Sequence, residues 1–103
     1  MLLFYIPCTS LAEAKNIGKK LVEEKLVACA NIIKDIETIY RWEGKVNENN
    51  EVLLLVKGPE RNHEKIEKLV KGLHSYDVPC IIAIKPHTVE KEYAEWLEKE
   101  TSD

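Results

Sequence analysis

The chain switches between apolar runs with no polar break and stretches that place apolar residues every three or four positions. Leu2–Ile6 is a continuous apolar run ended by Pro7. A short run of this kind reads as a strand with apolar side chains on both faces. From Ser10 the period changes. Ala14, Ile17, Gly18, Leu21 and Val22 fall on one side of a helix, while Glu13, Lys15, Asn16, Lys19, Lys20, Glu23 and Glu24 fall on the other. Ser10 with Glu13 forms a capping box, in which the glutamate would reach back to the serine N–H. The helix is expected to end at about Lys25. Ala28–Lys45 then carries no proline, no glycine before Gly44, and many β-branched and aromatic residues, so it reads as one strand of unusual length. Its partner is expected at Glu51–Lys57, with Asn47-Glu48-Asn49-Asn50 as the turn, because asparagine tolerates left-handed backbone angles.

Gly58-Pro59-Glu60 is a helix entry, with proline in the first turn and acid near the positive helix end. Ile66, Leu69, Val70 and Leu73 make the apolar stripe of this second helix, which stops near His74. Ser75-Tyr76-Asp77 turns the chain into a fourth strand, Pro79–Lys85, closed by Pro86. A last helix, about Glu90 to Glu100, places Val89, Tyr93, Trp96 and Leu97 on one side.

The order is β-α-β-β-α-β followed by α. It predicts an α+β fold, a ferredoxin-like split βαβ sandwich with an extra C-terminal helix and a long hairpin between strands two and three, in a single domain over residues 1–103. Two helices cover one face of such a sheet. Strands that are apolar at successive positions leave a second apolar face open. At ~25 cal/mol per Å², leaving ~600 Å² wet would forgo ~15 kcal/mol, as much as a whole domain's stability. Self-association through that face is therefore expected, and the overhanging hairpin needs packing from outside its own domain.

Charge and composition narrow the partners. The net charge is −3 with no basic block, which argues against nucleic acid. No stretch approaches the ~18 apolar residues of a membrane span. The opening MetLeuLeuPheTyrIlePro lacks a basic flank and reads as a strand, not a signal peptide. Three scattered cysteines, Cys8, Cys29 and Cys80, suggest no disulfide framework and fit a reducing, cytoplasmic setting.

No local metal motif is present. The expected topology nonetheless gathers Cys8, His74, Tyr76 and Cys80 at one edge of the sheet. Thiolate and imidazole suit copper or zinc. A buried structural cysteine beside a histidine that caps the second helix is the other reading, and both stand open. Cys29, between two alanines, reads as buried and structural. His63 and His87 read as solvated. Tyr40-Arg41-Trp42-Glu43 would pack on a sister subunit or stack on a ligand. Lys57, at a strand end, would gain a role only from a nearby anion. No Ser/His/Asp set, phosphate loop or carboxylate pair is visible, so a non-enzymatic role is expected. A cysteine nucleophile would need Cys8 or Cys80 beside His74.

AlaCysAlaAsn at 28–31, TyrArgTrpGluGlyLys at 40–45, LeuHisSerTyrAspValPro at 73–79 and TyrAlaGluTrpLeu at 93–97 together resemble the CutA-type divalent-cation tolerance proteins. The resemblance covers nearly the whole chain. It implies a tight homotrimer, a role in metal-ion response, and copper or another soft divalent ion that folding does not require. It also implies ion ligands at the end of strand one and in the turn after helix two. His74 matches the turn. The strand-one position is Ile6 here, with Cys8 two residues on and of the same parity. A glutamate common after the turn proline is Cys80, and a second histidine of some members is Leu73. The resulting candidate metal set is Cys8, His74 and Cys80. The architecture is also similar to PII-type signalling trimers. That alternative implies a cleft between subunits, lined by Cys29, Asn31, Tyr40, Trp42, Lys57 and Tyr76, for a small anion or partner protein.

Overall fold

The computed structural model describes all of residues 1–103. Its elements are β1 (Leu2–Cys8), α1 (Leu11–Glu23), β2 (Cys29–Trp42), β3 (Lys45–Gly58), a 3-10 turn (Glu60–Asn62), α2 (His63–Leu73), β4 (Ile82–Ile84) and α3 (Lys91–Glu100). The strands form one antiparallel sheet in the order β2-β3-β1-β4. Along β1, Leu2, Phe4, Ile6 and Cys8 are buried, while Leu3, Tyr5 and Pro7 are half-buried. The buried set packs with Leu54 and Val56 of β3 against Ala14, Ile17 and Leu21 of α1 and Ile66 and Val70 of α2. This is the core. The odd-numbered set faces away from these helices. α3 reaches only one corner of that open face, where Lys57 Nζ donates to Tyr93 Oη at 3.3 Å.

Two sequence expectations change here. β3 begins at Lys45, not Glu51, and the turn is Glu43-Gly44 instead of Asn47–Asn50. Both turn residues have positive φ, 51° and 78°, as a tight hairpin requires to match strand twist. The asparagines lie within the strand, where Asn49 Nδ2 donates to Tyr40 Oη at 2.7 Å. The hairpin is therefore longer than expected and stretches the molecule to 45 × 26 × 22 Å. A bulge between Ile33 and Ile36, with Asp35 at φ 60°, bends it where it leaves the domain.

β4 is the second change. It covers Ile82–Ile84, not Pro79–Lys85, and pairs only with Leu3–Tyr5. Continuing the register would set Cys80 opposite Pro7, which has no N–H to offer, so the ladder stops.

Two glycines with open space around them should respond in opposite ways to alanine. At Gly44 (φ +78°) a methyl meets nothing within 4 Å, so the cost is backbone strain alone, about 1 kcal/mol. At Gly72, within α2 and equally uncrowded, alanine should stabilise by roughly 0.5–1 kcal/mol. Urea midpoints of the two variants, shifted in opposite directions, check this.

Candidate functional site

Cys8, Glu13 and His74 bring one ligand-type atom each to within 4.8 Å of one another. Three elements supply them. Cys8 closes β1 on the helix-facing side and is fully buried. Glu13 stands in the first turn of α1. His74 ends α2, its backbone N–H closing on Val70 O.

Each group is already engaged. His74 Nδ1 accepts the Tyr76 N–H at 3.0 Å, so Nε2 carries the proton and donates to Pro7 O at 2.8 Å. That carbonyl is free because β4 stops short of Pro7. Glu13 Oε1 accepts from Thr9 N at 2.9 Å and from Thr9 Oγ1 at 3.1 Å, and Oε2 accepts from Ser75 N at 2.9 Å. The capping box is thus half present. Ser10 Oγ accepts from Glu13 N, but the glutamate serves Thr9 and Ser75 instead of the Ser10 N–H. Cys8 Sγ points its weak donor at Ile6 O, 3.6 Å away.

Electrostatics agree with this geometry. Burial, aided by the charges of Glu13 and Glu51, pushes the Cys8 thiol up to about 12, so it stays protonated at neutral pH. Burial alone would raise Glu13, but the bonds from Thr9 and Ser75, with His74 nearby, outweigh it and hold the carboxyl below its ordinary 4.5. A lowered native pKa means stabilisation that is complete above 4.5 and is lost as pH falls through the native value. Glu13→Gln should cost about 2 kcal/mol at pH 7 and flatten the acid limb of a stability–pH curve. Chemical denaturation between pH 2.5 and 7 measures both.

Tyr76 belongs to this group, as its position after the second helix suggested. Its ring lies 5.0 Å from that of His74, and its hydroxyl donates to the nearly buried Glu51 at 2.9 Å. Burial first, then the Glu51 bond and charge, push the phenol up to about 12. Cys80 does not join Cys8 and His74. It is exposed, in the segment before β4, and brings no ligand atom into their cluster. In the sequence Glu13 reads only as a helix cap, and Glu51 only as the start of a strand. The only signal for Glu51 was a charge set directly against the run Val52–Val56.

These residues do not fit a resident ion. Coordination needs an imidazole lone pair and a thiolate. Here the ring's one lone pair holds a backbone amide that an ion would have to displace, while the thiol's proton would leave on binding. The same facts argue against a cysteine nucleophile, since no free base faces Cys8.

The residues expected to line a cleft are spread along the sheet's open side. Cys29 pairs with Lys57 and Asn31 with Leu55 in adjacent rows. Tyr40 joins the hairpin root through Asn49, and Tyr76 joins it through Glu51. Trp42 stands beside the turn, opposite Lys45. At about 3.3 Å per residue it lies roughly 40 Å along the strand from Cys29, so one chain cannot bring it to Lys57. His63 is half-buried, not fully solvated. It stacks on Phe4 at 5.9 Å and pairs with Glu67 at 2.8 Å.

Comparison with known proteins gives a consistent result. The family model described as CutA1 divalent ion tolerance protein matches residues 2–100. The chain is 46% identical over 88 residues to the divalent-cation tolerance protein CutA of Thermus thermophilus, covering 85% of each. It is 38% identical over 101 residues to that of Pyrococcus horikoshii, covering 98% of each. It spans about half, 53%, of the chloroplastic CutA of Arabidopsis thaliana. Among solved structures, Cut A1 of Thermus thermophilus superposes with a TM-score of 0.95 at 42% identity, covering 99% of this chain and all of that one.

Proposed function

This chain belongs to the CutA1 divalent ion tolerance family, and on that premise we propose that it acts in metal-ion tolerance as a non-enzymatic homotrimer. The three copies cover the open faces of one another's ferredoxin-like sheets. One observation carries this reading. Ile33, Ile82 and Ile84 are about half exposed on the open face at the sheet's two edge strands, and on the opposite side of the overhanging hairpin Ile39 and Val46 are 69% and 65% exposed. Leu3, Tyr5 and Leu55 lie half-buried between the edges. A single chain has nothing to lay on this surface, whereas sister sheets and hairpins of the same length do. The number three rests on the family resemblance. The free thiols of all three cysteines favour a reducing cytoplasmic setting.

In the trimer the hairpin of one copy lies along its neighbour. Trp42 and Tyr40 of one subunit then come to the Lys57 and Tyr76 region of the next, and tolerance works through these seams. The test uses cells that lack the protein and are challenged with copper or zinc. The wild-type chain should restore growth, and the double variant Ile33→Asp/Ile84→Asp, folded but monomeric, should not. Full rescue by a monomeric chain would refute the reading.

A further inference from the structure

We infer that Glu13 and His74 form a hydrogen-bonded clasp that closes residues 74–76 onto the end of β1, and that this clasp, with Cys8 beside it, is not the ion site of the protein.

His74 spans two segments with one ring, Pro7 on one side and Tyr76 on the other. Glu13 spans two more, Thr9 before α1 and Ser75 after α2. Together they tie residues 7–13 to residues 74–76, a connection that the Thr9 and Ser75 hydroxyls, 3.4 Å apart, reinforce. A segment without helix or ladder bonds needs such partners for its backbone amides. The Ser75 and Tyr76 N–H groups have no others in the fold. The clasp also sets Tyr76, which reaches past the end of the sheet to Glu51 at the hairpin root. Its product is a fixed turn that carries Tyr76 to Glu51 and leaves Val78 exposed (74%).

An ion at this place would have to take the lone pair that holds Tyr76, or displace the ring from Pro7. Ion coordination and the closed turn therefore compete for the same atoms. A cysteine near a histidine is a weak sign of a metal site when both ring nitrogens serve the backbone.

Two measurements test this, and the first needs no variant. Co(II) titrated into the wild-type protein at pH 7 should give no saturable thiolate-to-cobalt absorption. The second is amide exchange. Tyr76 should exchange at least about tenfold faster in His74→Ala than in wild type, with His74→Gln restoring much of the protection, because a carboxamide can both accept and donate here. One saturable cobalt per chain with a thiolate band, with Tyr76 still protected, would overturn the inference. So would a His74→Ala variant that stays folded with Tyr76 exchange unchanged.

Discussion

With aspartate at both Ile33 and Ile84, the chain should keep its fold and sediment as a single copy. The two sites sit on opposite edges of the sheet, Ile33 on β2 and Ile84 on β4. Each is roughly half exposed in one chain, 45% and 46%, so the fold itself tolerates a polar group there. In a closed ring of copies both edges are covered. A carboxylate trapped at such a seam without a partner costs several kcal/mol, and the ring repeats that cost at every contact. The loss of lipophilic burial adds to it, about 25 cal/mol for each Å². Sedimentation velocity and far-UV circular dichroism on the same sample separate dissociation from unfolding. A folded variant that keeps the wild-type mass would show that these edges are not the seams.

Phe4→Ala should cost about 3–5 kcal/mol, the range for an aromatic removed from a packed core. Phe4 is fully buried in the middle of β1, between Val56 of β3 and Ala83 of β4, with His63 stacked against it. No neighbour is long and free enough to fill the gap, because Ile6, Leu54 and Ile66 are themselves fully buried. Urea unfolding at one fixed protein concentration measures the loss, since association shifts the midpoint with concentration. A cost below 1 kcal/mol would mean that the core lies elsewhere.

The parts of the fold that were legible in the sequence are those that a single period determines. The stripe Ala14-Ile17-Leu21 named the buried side of α1, and Ile66 and Val70 did so for α2. The uninterrupted run Leu2–Ile6 signalled two apolar faces, and the structure shows one buried and one half-buried. The hairpin turn was misplaced because two turn-compatible stretches compete, Glu43-Gly44 and Asn47–Asn50. Strand length decided between them, and strand length is set by cross-strand pairing that local propensity does not carry. β4 came out short because Pro7, 75 residues before Ile82, ends its ladder.

The candidate site was half legible for a related reason. His74, Tyr76 and Cys8 converge as the topology requires. The missing member was Glu13, whose partner Ser75 lies 62 residues away, so a helix-start signal hid a long-range tie. Cys80 stays out of the group because the ladder ends at Ile82 and leaves it in an exposed segment before β4. Local motifs name which groups can bond. Only the assembled backbone shows which amides are left needing them.

The central claim is that the uncovered sheet face is closed by sister copies. Sedimentation equilibrium of the wild-type protein, taken from tens of micromolar down to nanomolar, tests it most directly. The predicted result is a species of three times the 11.9 kDa chain mass that persists on dilution. A stable 11.9 kDa species across the whole range would contradict it.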